Sequence, residues 1–478
     1  MFDFDMDRLT AFGAVVSAGL SRFMPAMSRL GGAKFERWRR GRKLKVLLVG
    51  YNGAGNTGAD ARVEAMARQL ACVLGTERVE ISVLTQAVDG FSLYFDPSVE
   101  LIKIDPIFFR SVFDACGAHH MAVLSEGAAL KSTFANALTL LFCEAAGIMK
   151  NQGKPCVAYG CEAGAMDPYI ERIAGDLCRD TYFIARTAPS LGIVRGLGLE
   201  GHLGTDTAWT FPAGPEEWVA ARLEEIGRAG GQPIIGACVT NPFWWPVKPS
   251  LTRLARAAVT RSWDDHYRKW YFFSYSEEGR RRMADYTRAV AAALDNFADR
   301  HKGLVVILGM DARDLDACKQ LQLELKHPAE IFCAHQYDGY QLCSILRALD
   351  LVVTSDYHGS VLSMTGGVPS VAVSLDERLA NLFEETGHKP DYFFEAADPI
   401  LADRLDDAVR KMMENRASLS TELLGRTRQY LEKLGNMGMF LRGYVEEHFP
   451  GLPLPDPPET WRDALGPLDP AIAKILDD

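Results

Sequence analysis

The sequence predicts an α/β protein with two Rossmann-like domains, each built on a parallel sheet, that face each other across a cleft. Short, fully apolar strand segments alternate with helical segments along most of the chain, which is typical of parallel sheets covered on both faces. The alternation pauses at 211–215, and after one helix and a turn at 230–233 it starts again. A chain of 478 residues has the length of two or three domains.

The pattern divides the chain into four parts. Residues 1–44 form an amphipathic, basic helical segment, 45–212 the first Rossmann-like domain, 213–400 the second, and 401–478 two helices and a proline-rich tail. Strands of the first domain are predicted at 45–51, 79–85, 99–104, 120–127, 154–160, 181–186 and 202–208. Strands of the second domain are predicted at 234–240, 303–310, 329–334, 350–355 and 368–374.

The composition excludes several classes of protein. Hydrophobic residues make up 48% and charged residues 24% of the chain, which argues against disorder, and the net charge of -10 argues against a basic nucleic-acid coat. No apolar run reaches the roughly 18 residues of a membrane span, and the acidic start does not resemble a secretory signal. The 10 cysteines form no C-x-x-C pair. We therefore expect a cytoplasmic protein with reduced core thiols and no metal site.

The N-terminal segment combines an apolar helical face with positive charge. Apolar residues recur at spacings of three and four from Leu9 to Leu30, and a basic cluster follows from Lys34 to Lys45. Residues 1–45 hold 10 lysines and arginines against 4 acids. This combination suits peripheral contact of residues 1–44 with the inner membrane face. Packing on its own protein, or on a second copy in a homo-oligomer, is the alternative.

A glycine-rich loop joins the first predicted strand to a helix. Its glycines, the last of them Gly58, have the spacing G-x-G-x-x-G, which allows a tight turn and brings backbone N–H groups close to an anion. We therefore expect Asn52, Gly53, Gly55 and Asn56 to bind substrate. A glycine turn that serves only packing is the alternative. An NAD site would need an acidic residue at the end of the next strand, and that strand ends without one.

Glu126 lies at the carboxyl end of the strand predicted at 120–127, where ligands bind in this architecture. Its carboxylate could accept a sugar hydroxyl or act as a base, and a solvated loop acid is the alternative.

The stretch 354–360 follows another strand and opens a helix. His358 could move protons near neutral pH, with Asp356 beside it. Small residues and free N–H groups at a helix N-terminus hold anions. A structural histidine is the alternative. The candidate binding residues here are Ser355, Tyr357, Gly359 and Ser360.

The insertion 241–282 is rich in aromatic and basic residues. It opens with Trp244 and Trp245, contains four of the chain's 8 tryptophans, and carries nine lysines and arginines. Aromatic rings stack on sugars and arginines bind phosphates or carboxylates, so we predict a lid that binds the acceptor. A structural segment, a membrane surface and a single-stranded nucleic-acid contact are alternatives, and we expect no nucleic acid as partner.

The order of these motifs resembles that of the polysaccharide pyruvyl transferase family over roughly 45–395. G-Y-N-G-A-G-N-T-G-A-D-A at 50–61 is similar to the family's G-Y-x-G-x-G-N-x-G-D-E-A, and 159–164 occupies the place of its G-Q-G-I-G. Arg186 to Ser190, then Thr205-Asp206, then His358-Gly359, and finally Gly367-Val-Pro369 and Asp376-Glu-Arg378, follow the family's order. The family resembles glycosyltransferases of the two-Rossmann type (the GT-B-like fold) and transfers the enolpyruvyl unit of phosphoenolpyruvate to sugar hydroxyls as a ketal.

The resemblance implies roles for these residues. His358 would be the acid/base, Glu126 or Asp356 its partner, and Arg186 and Arg378 would hold the anionic donor. Phosphoenolpyruvate would be the donor substrate without a further cofactor, and a sugar or lipid-linked glycan of the cell envelope the acceptor. The family usually has an arginine at position 356, where this chain has an aspartate that would repel a carboxylate donor.

Two other functions fit the same residues. A GT-B-like glycosyltransferase would place the pyrophosphate of a nucleotide sugar at the helix that begins near 358–360. A catalytically altered member of the family would instead be a scaffold for envelope biosynthesis.

Overall fold

The computed structural model of the chain describes residues 3–29, 35–105, 107–245, 247–249, 259–260, 271–273 and 276–477. It confirms the predicted fold class, because the chain forms two parallel α/β sheets that face a common cleft. Most of the predicted lid, including Trp263, Tyr267 and Trp270, lies outside the described residues.

The first sheet has seven parallel strands in the order β3-β2-β1-β4-β5-β6-β7. Its strands are β1 (Leu44–Asn52), β2 (Val79–Thr85), β3 (Glu100–Lys103), β4 (Met121–Leu124), β5 (Cys156–Cys161), β6 (Thr181–Ala185) and β7 (Gly201–Leu203). The central strands β4 and β5 are buried along their whole length, which explains why they contain apolar residues without alternation. The associated helices are α1 (Asp3–Ser28), α2 (Thr57–Leu74), α3 (Phe109–Ala118), α4 (Asn136–Asn151), α5 (Pro168–Leu177) and α6 (Ala188–Gly196).

The second sheet has six parallel strands in the order β12-β11-β8-β13-β14-β15. The remaining strands, including the separate antiparallel pair β9 and β10, are β8 (Ile234–Cys238), β9 (Val247–Pro249), β10 (Tyr271–Phe273), β11 (Leu304–Gly309), β12 (Ala329–Cys333), β13 (Leu351–Thr354), β14 (Ser370–Ser374) and β15 (Phe393–Glu395). The helices of this part are α7 (Glu216–Glu225), α8 (Glu277–His301), α9 (Leu315–Glu324), α10 (Gly339–Arg347), α11 (Tyr357–Met364), α12 (Glu377–Thr386) and α13 (Lys389–Tyr392).

The C-terminal part connects the two sheets. It contains α14 (Leu401–Glu414), the long helix α15 (Arg416–His448) and α16 (Pro470–Asp477). Gln69 of α2 donates hydrogen bonds to the carbonyls of Leu434 and Ala464, both at 2.9 Å, and the ring of Tyr430 stacks on Trp209. The proline-rich tail therefore contributes to the apolar core that runs from α2 through α15 to the second sheet. The sequence pattern did not predict α16 or β15.

Helix α1 packs on its own protein, mainly on α4. Ser21 and Pro25 are buried, and the Asn151 side chain at the end of α4 donates a hydrogen bond of 2.7 Å to the Pro25 carbonyl. Other apolar side chains of α1, among them Phe23, stay exposed. Among the described residues, no helix is long and apolar enough to cross a membrane.

The carboxyl ends of the two sheets meet at a seam made of backbone contacts. Thr57 N–H at the start of α2 donates to the Met310 carbonyl, and Ala312 N–H donates to the Gly55 carbonyl, each at 2.8 Å. Lys131 adds an ion pair with Glu377 at 2.9 Å across the same boundary. These contacts hold the loops that follow β1, β4, β11 and β14 around one shared cavity.

Candidate active site

The cavity between the two sheets has a volume of about 410 Å³, within the usual range for small-molecule sites. Both sheets contribute loops at the carboxyl ends of their strands, as the rule for open α/β sheets predicts. Eight of the fifteen predicted site residues line it: Asn56, Glu126, Trp244, Trp245, Ser355, Asp356, His358 and Arg378.

His358 lies at the floor of the cavity and contacts the other half of the protein. Its Nε2 is 3.7 Å from the Asp206 carboxylate, and its side chain is buried. The imidazole packs directly on Gly58, where a Cβ atom would come within 1.9 Å of Nδ1. The last glycine of the loop is therefore required by the close approach of this histidine, and the two domains together fix the ring.

Asp206 holds His358 and two buried arginines in one network. Its carboxylate pairs with Arg62 at 3.1 Å and with Arg186. Burial opposes ionisation of Asp206, but the charges of Arg62 and Arg186 and the nearby His358 outweigh it. Together they hold the pKa of Asp206 well below its usual range. Asp206 is thus a carboxylate that can stabilise the protonated form of His358.

Arg186 does not line the cavity, contrary to the expectation that it binds a donor anion. Its guanidinium donates to Glu162 at 2.9 Å and to the Gly127 carbonyl at 3.1 Å, in addition to its ion pair with Asp206. A buried guanidinium needs such partners because an unpaired charge would be costly in this environment. Its role is to support the loop after β4.

Glu126 and Asp356 both face the cavity, and each is held by backbone amides. Glu126 accepts hydrogen bonds of 3.1 Å from the N–H groups of Tyr51 and Ala128. Asp356 caps α11, since its Oδ1 accepts the Gly359 N–H at 2.9 Å. An aspartate at this position therefore has a structural reason, and it adds negative charge to the wall of the cavity.

Two acids in the loop after β11, Asp311 and Asp314, line the cavity and were not predicted as site residues. Asp311 pairs with Arg313 and accepts a hydrogen bond of 2.8 Å from the Asn56 side chain across the seam. Asp314 is buried at the cavity wall. Burial raises the pKa of Asp314 well above its usual range, and the charges of Asp311 and Asp356 raise it further. Burial and the neighbouring carboxylates therefore favour the protonated form of Asp314, which faces the cleft.

The arginines that line the cavity each pair with an aspartate. Arg62 pairs with Asp206, Arg313 with Asp311, and Arg378 with Asp376. The lining contains five acids, Glu126, Asp311, Asp314, Asp356 and Asp376, against these three arginines. An anionic donor would therefore have to compete with an aspartate for each arginine.

The glycine loop serves the seam more than it serves the cavity. The structure places Asn52, Gly53 and Gly55 outside the lining. The Asn52 side chain donates to the Leu84 carbonyl at 3.0 Å, and Gly53 needs its positive φ of 69° where a Cβ would collide with Thr85. Asn56 does line the cavity and caps α2. The N–H groups expected to cradle an anion are partly used by these contacts.

The loop after β13 divides in the same way. Ser355 lines the cavity, although its hydroxyl also accepts the Thr240 N–H at 2.9 Å. Tyr357, Gly359 and Ser360 lie behind the lining. The Tyr357 ring lies 4.5 Å from the Arg186 guanidinium, and the Ser360 hydroxyl bonds Ser370 at 2.9 Å. These three residues shape the start of α11 and do not face the cleft.

Aromatic rings from both halves form one wall of the cavity. The Phe134 ring packs edge-on against Trp245 with centroids 5.1 Å apart, and Trp245 contacts Trp244 at 6.2 Å. Arg378 lies over the Phe134 ring at 4.9 Å and Arg313 over Trp245 at 5.8 Å. Phe134 was not predicted, because it follows the strand by ten residues within an irregular loop.

A buried carboxyl behind the glycine loop gives a pH-dependent prediction. Burial raises the pKa of Asp60 to about 7, and the charge of Asp311 adds to this increase. The hydrogen bond from the Gly53 N–H lowers the pKa but does not cancel the effect of burial. An unfolded aspartate titrates near 3.9, so the folded state binds the proton more tightly and the free energy of unfolding falls as pH rises from about 4 to 7. Asp60 accounts for up to about 4 kcal/mol of this decrease in the free energy of unfolding, and we expect that part to be absent in Asp60→Asn.

Urea denaturation at several pH values measures this effect, with Asp463→Asn, at an exposed aspartate, as the control. A decline between pH 4 and 7 that is the same in wild type and Asp60→Asn would contradict the assignment.

The described ranges contain no group of three or more histidine, cysteine, aspartate or glutamate side chains placed to hold a metal ion.

Comparison with known proteins identifies the fold. No protein-family model matches the chain, and no curated protein does. A candidate UDP-N-acetylglucosamine 2-epimerase from Listeria monocytogenes aligns with a TM-score of 0.55 and 10% identity, over 85% of this chain and 96% of its own. Anabaena HepE, solved in complex with UDP-glucose, aligns with a TM-score of 0.53 and 12% identity, over 84% of this chain and 100% of its own. The chain therefore has the GT-B-like fold, with two Rossmann-like domains that face a cleft.

Proposed function

We propose that this chain is a sugar-modifying enzyme that transfers a glycosyl group from a nucleotide sugar to a sugar or lipid-linked glycan of the cell envelope. The observation that carries the proposal is the cavity at the carboxyl ends of both sheets, with the His358–Asp206 pair at its floor. The names of the two similar structures support the choice of donor, since one is a complex with UDP-glucose and the other refers to a UDP-sugar.

Proton transfer is the role of His358 in this proposal. Its imidazole takes the proton of the acceptor hydroxyl while the hydroxyl oxygen bonds to the anomeric carbon of the donor. The bond from that carbon to the diphosphate oxygen breaks, and the nucleoside diphosphate leaves with the electron pair. Asp206 stabilises the imidazolium that forms, and its low pKa keeps it ionised for this purpose.

Donor binding is assigned to Arg378 and Asp314. Arg378 can exchange its bond with Asp376 for the diphosphate oxygens at the cavity wall. In the protonated form that its raised pKa favours, Asp314 can donate a hydrogen bond to a donor oxygen that a carboxylate would repel. This arrangement offers a route by which a cavity rich in acids accepts an anionic donor.

Acceptor binding is assigned to the aromatic wall and the amide-anchored acids. The Phe134 and Trp245 rings line the cavity and offer apolar contact for a sugar ring. Glu126 and Asp356 face the same space and can accept hydrogen bonds from sugar hydroxyls.

Pyruvyl transfer from phosphoenolpyruvate is the second candidate. One observation favours it: both His358, to which the resemblance assigns the acid/base role, and Arg378, to which it assigns donor binding, line the cavity. Two observations weigh against it, because the donor carboxylate and phosphate need cations that are not already paired. Arg186 is buried in an ion pair with Asp206, and Asp356 adds a carboxylate to the cavity wall.

Calorimetry with UDP-glucose, UDP-N-acetylglucosamine and phosphoenolpyruvate tests the proposal. We expect a UDP-sugar to bind and Arg378→Gln to weaken that binding roughly tenfold or more, because a charge-assisted hydrogen bond is lost. Arg404→Gln is a matched control, since Arg404 also pairs with an aspartate and lies over a phenylalanine ring, outside this cavity. Binding of phosphoenolpyruvate alone would favour the second candidate, and binding of neither donor would overturn both.

A further inference from the structure

We propose that the N-terminal face of the chain docks on an anionic membrane surface. This face consists of exposed apolar side chains and an exposed basic segment: Val16, Phe23, Met27, Phe35, Arg37, Arg39, Arg40, Arg42 and Lys43. The inference does not depend on the proposed enzymatic function.

The apolar part of the face remains open although α1 is already packed on α4. Val16, Phe23 and Met27 are 40%, 55% and 39% exposed, respectively. They are spaced by seven and four residues, so they lie on one side of the helix, away from the buried Ser21 and Pro25. Contiguous exposed apolar side chains of this kind mark interaction sites on soluble domains.

The positive charges of the basic part of the face are not neutralised by ion pairs within the described residues. Five lysines and arginines lie exposed between residues 37 and 43, and within the part of the chain that the structure describes none of them forms an ion pair. The nearby acid Glu36 is already paired with Lys45 at 2.7 Å. The segment therefore has five exposed basic residues whose charges no ion pair neutralises within the described residues.

The end of α1 and the basic segment lie at the same edge of the first sheet. The end of α1 is fixed by the bond from Asn151 to the Pro25 carbonyl, where α4 ends. The Glu36 N–H bonds the Gly117 carbonyl at 2.9 Å, where α3 ends. Lys154, which lies between α4 and β5, has its Nζ 5.0 Å from the Phe35 ring. All of these anchor points are at the amino ends of the strands, away from the cavity.

An anionic bilayer fits this combination better than a second copy of the chain. Apolar side chains can enter the boundary of the acyl chains while neighbouring cations contact anionic headgroups. A two-fold symmetric contact between two copies would place the same five positive charges close to one another, which is unfavourable.

Vesicle flotation with the full chain tests the inference. We expect flotation with vesicles of phosphatidylcholine and phosphatidylglycerol, and none with phosphatidylcholine alone. The double variant R39E/R40E and the double variant F23S/M27S should each reduce the bound fraction roughly tenfold or more. The control R281E/R282E changes the charge equally on α8, where both arginines are exposed, and should bind as wild type does.

Three outcomes would overturn the inference. The first is no binding to the anionic vesicles by a folded chain, as judged by circular dichroism. The second is binding that neither double variant reduces. The third is a concentration-dependent dimer, seen by light scattering, that F23S/M27S dissociates while vesicles do not bind, because the apolar stripe would then be occupied by a second copy.

Discussion

Replacement of Asp206 by asparagine is expected to lower the free energy of unfolding by about 3–5 kcal/mol. The Asp206 carboxylate is buried and pairs with Arg62 and Arg186. Asparagine keeps the size of the side chain but removes its charge, which leaves a buried guanidinium without a counterion. Arg186 keeps Glu162 as a partner, so Arg62 bears most of the cost. Urea denaturation at neutral pH measures the difference.

A second aspartate–arginine pair provides the control. Asp176 pairs with Arg22 at 3.2 Å, and both side chains are more than half exposed. Asp176→Asn should cost less than about 1 kcal/mol, because water screens an exposed pair. If Asp206→Asn cost no more than this control, the network around His358 would not be the stabilising element that its burial indicates.

Replacement of His358 by asparagine is expected to lower turnover by about 10² to 10⁴-fold, the usual contribution of a general base. The measurement is the rate of nucleoside diphosphate release from the nucleotide sugar in the presence of acceptor. Donor affinity should change little, because Arg378 and Asp314 carry donor binding in our proposal. Calorimetry with the same nucleotide sugar therefore separates lost catalysis from a lost fold.

His388 offers a matched control for this substitution. It lies in the same half of the protein, with its Nε2 3.5 Å from a Glu422 carboxylate oxygen, but outside the cavity. His388→Asn should leave turnover within about twofold of wild type. Gly58→Ala should reduce turnover without removing any polar group, because the new methyl group displaces the His358 ring. Full turnover by the His358 variant would assign the chemistry to another group.

Residues at the ends of buried strands could be predicted from the sequence. Glu126, Asp356 and His358 follow apolar strands directly, and the parallel topology brings those strand ends to one edge. The same rule would have found Asp311, which follows β11 by two residues. It was missed because Asp311 stands in no glycine-rich or histidine-containing motif, although its position carried the same signal.

The partners of buried charges could not be predicted. Arg186 lies at a strand end like Glu126, yet its guanidinium points into the first domain to pair with Glu162 and Asp206. Which of two strand-end residues faces the cleft depends on how distant segments pack, and a single sequence does not contain that information. For the same reason the resemblance to pyruvyl transferases could suggest Arg186 as a donor ligand but not test it.

The glycine loop shows a second limit of the same kind. Its spacing correctly indicates a turn with close backbone approach, but the group that approaches is the His358 ring and the backbone near Met310 rather than a ligand phosphate. The contact forms only when the two domains meet. Glycine spacing thus predicts a need for space without identifying what fills it.

A crystal structure of the chain with a bound UDP-sugar tests the central claim, that the cleft between the two sheets is the donor site. We expect the diphosphate to contact Arg378, whose bond with Asp376 would open, and the sugar to lie between His358 and the wall formed by Phe134 and Trp245. A UDP-sugar bound elsewhere on the chain, or a cleft that stays empty at saturating ligand while Arg378 remains paired, would contradict the account.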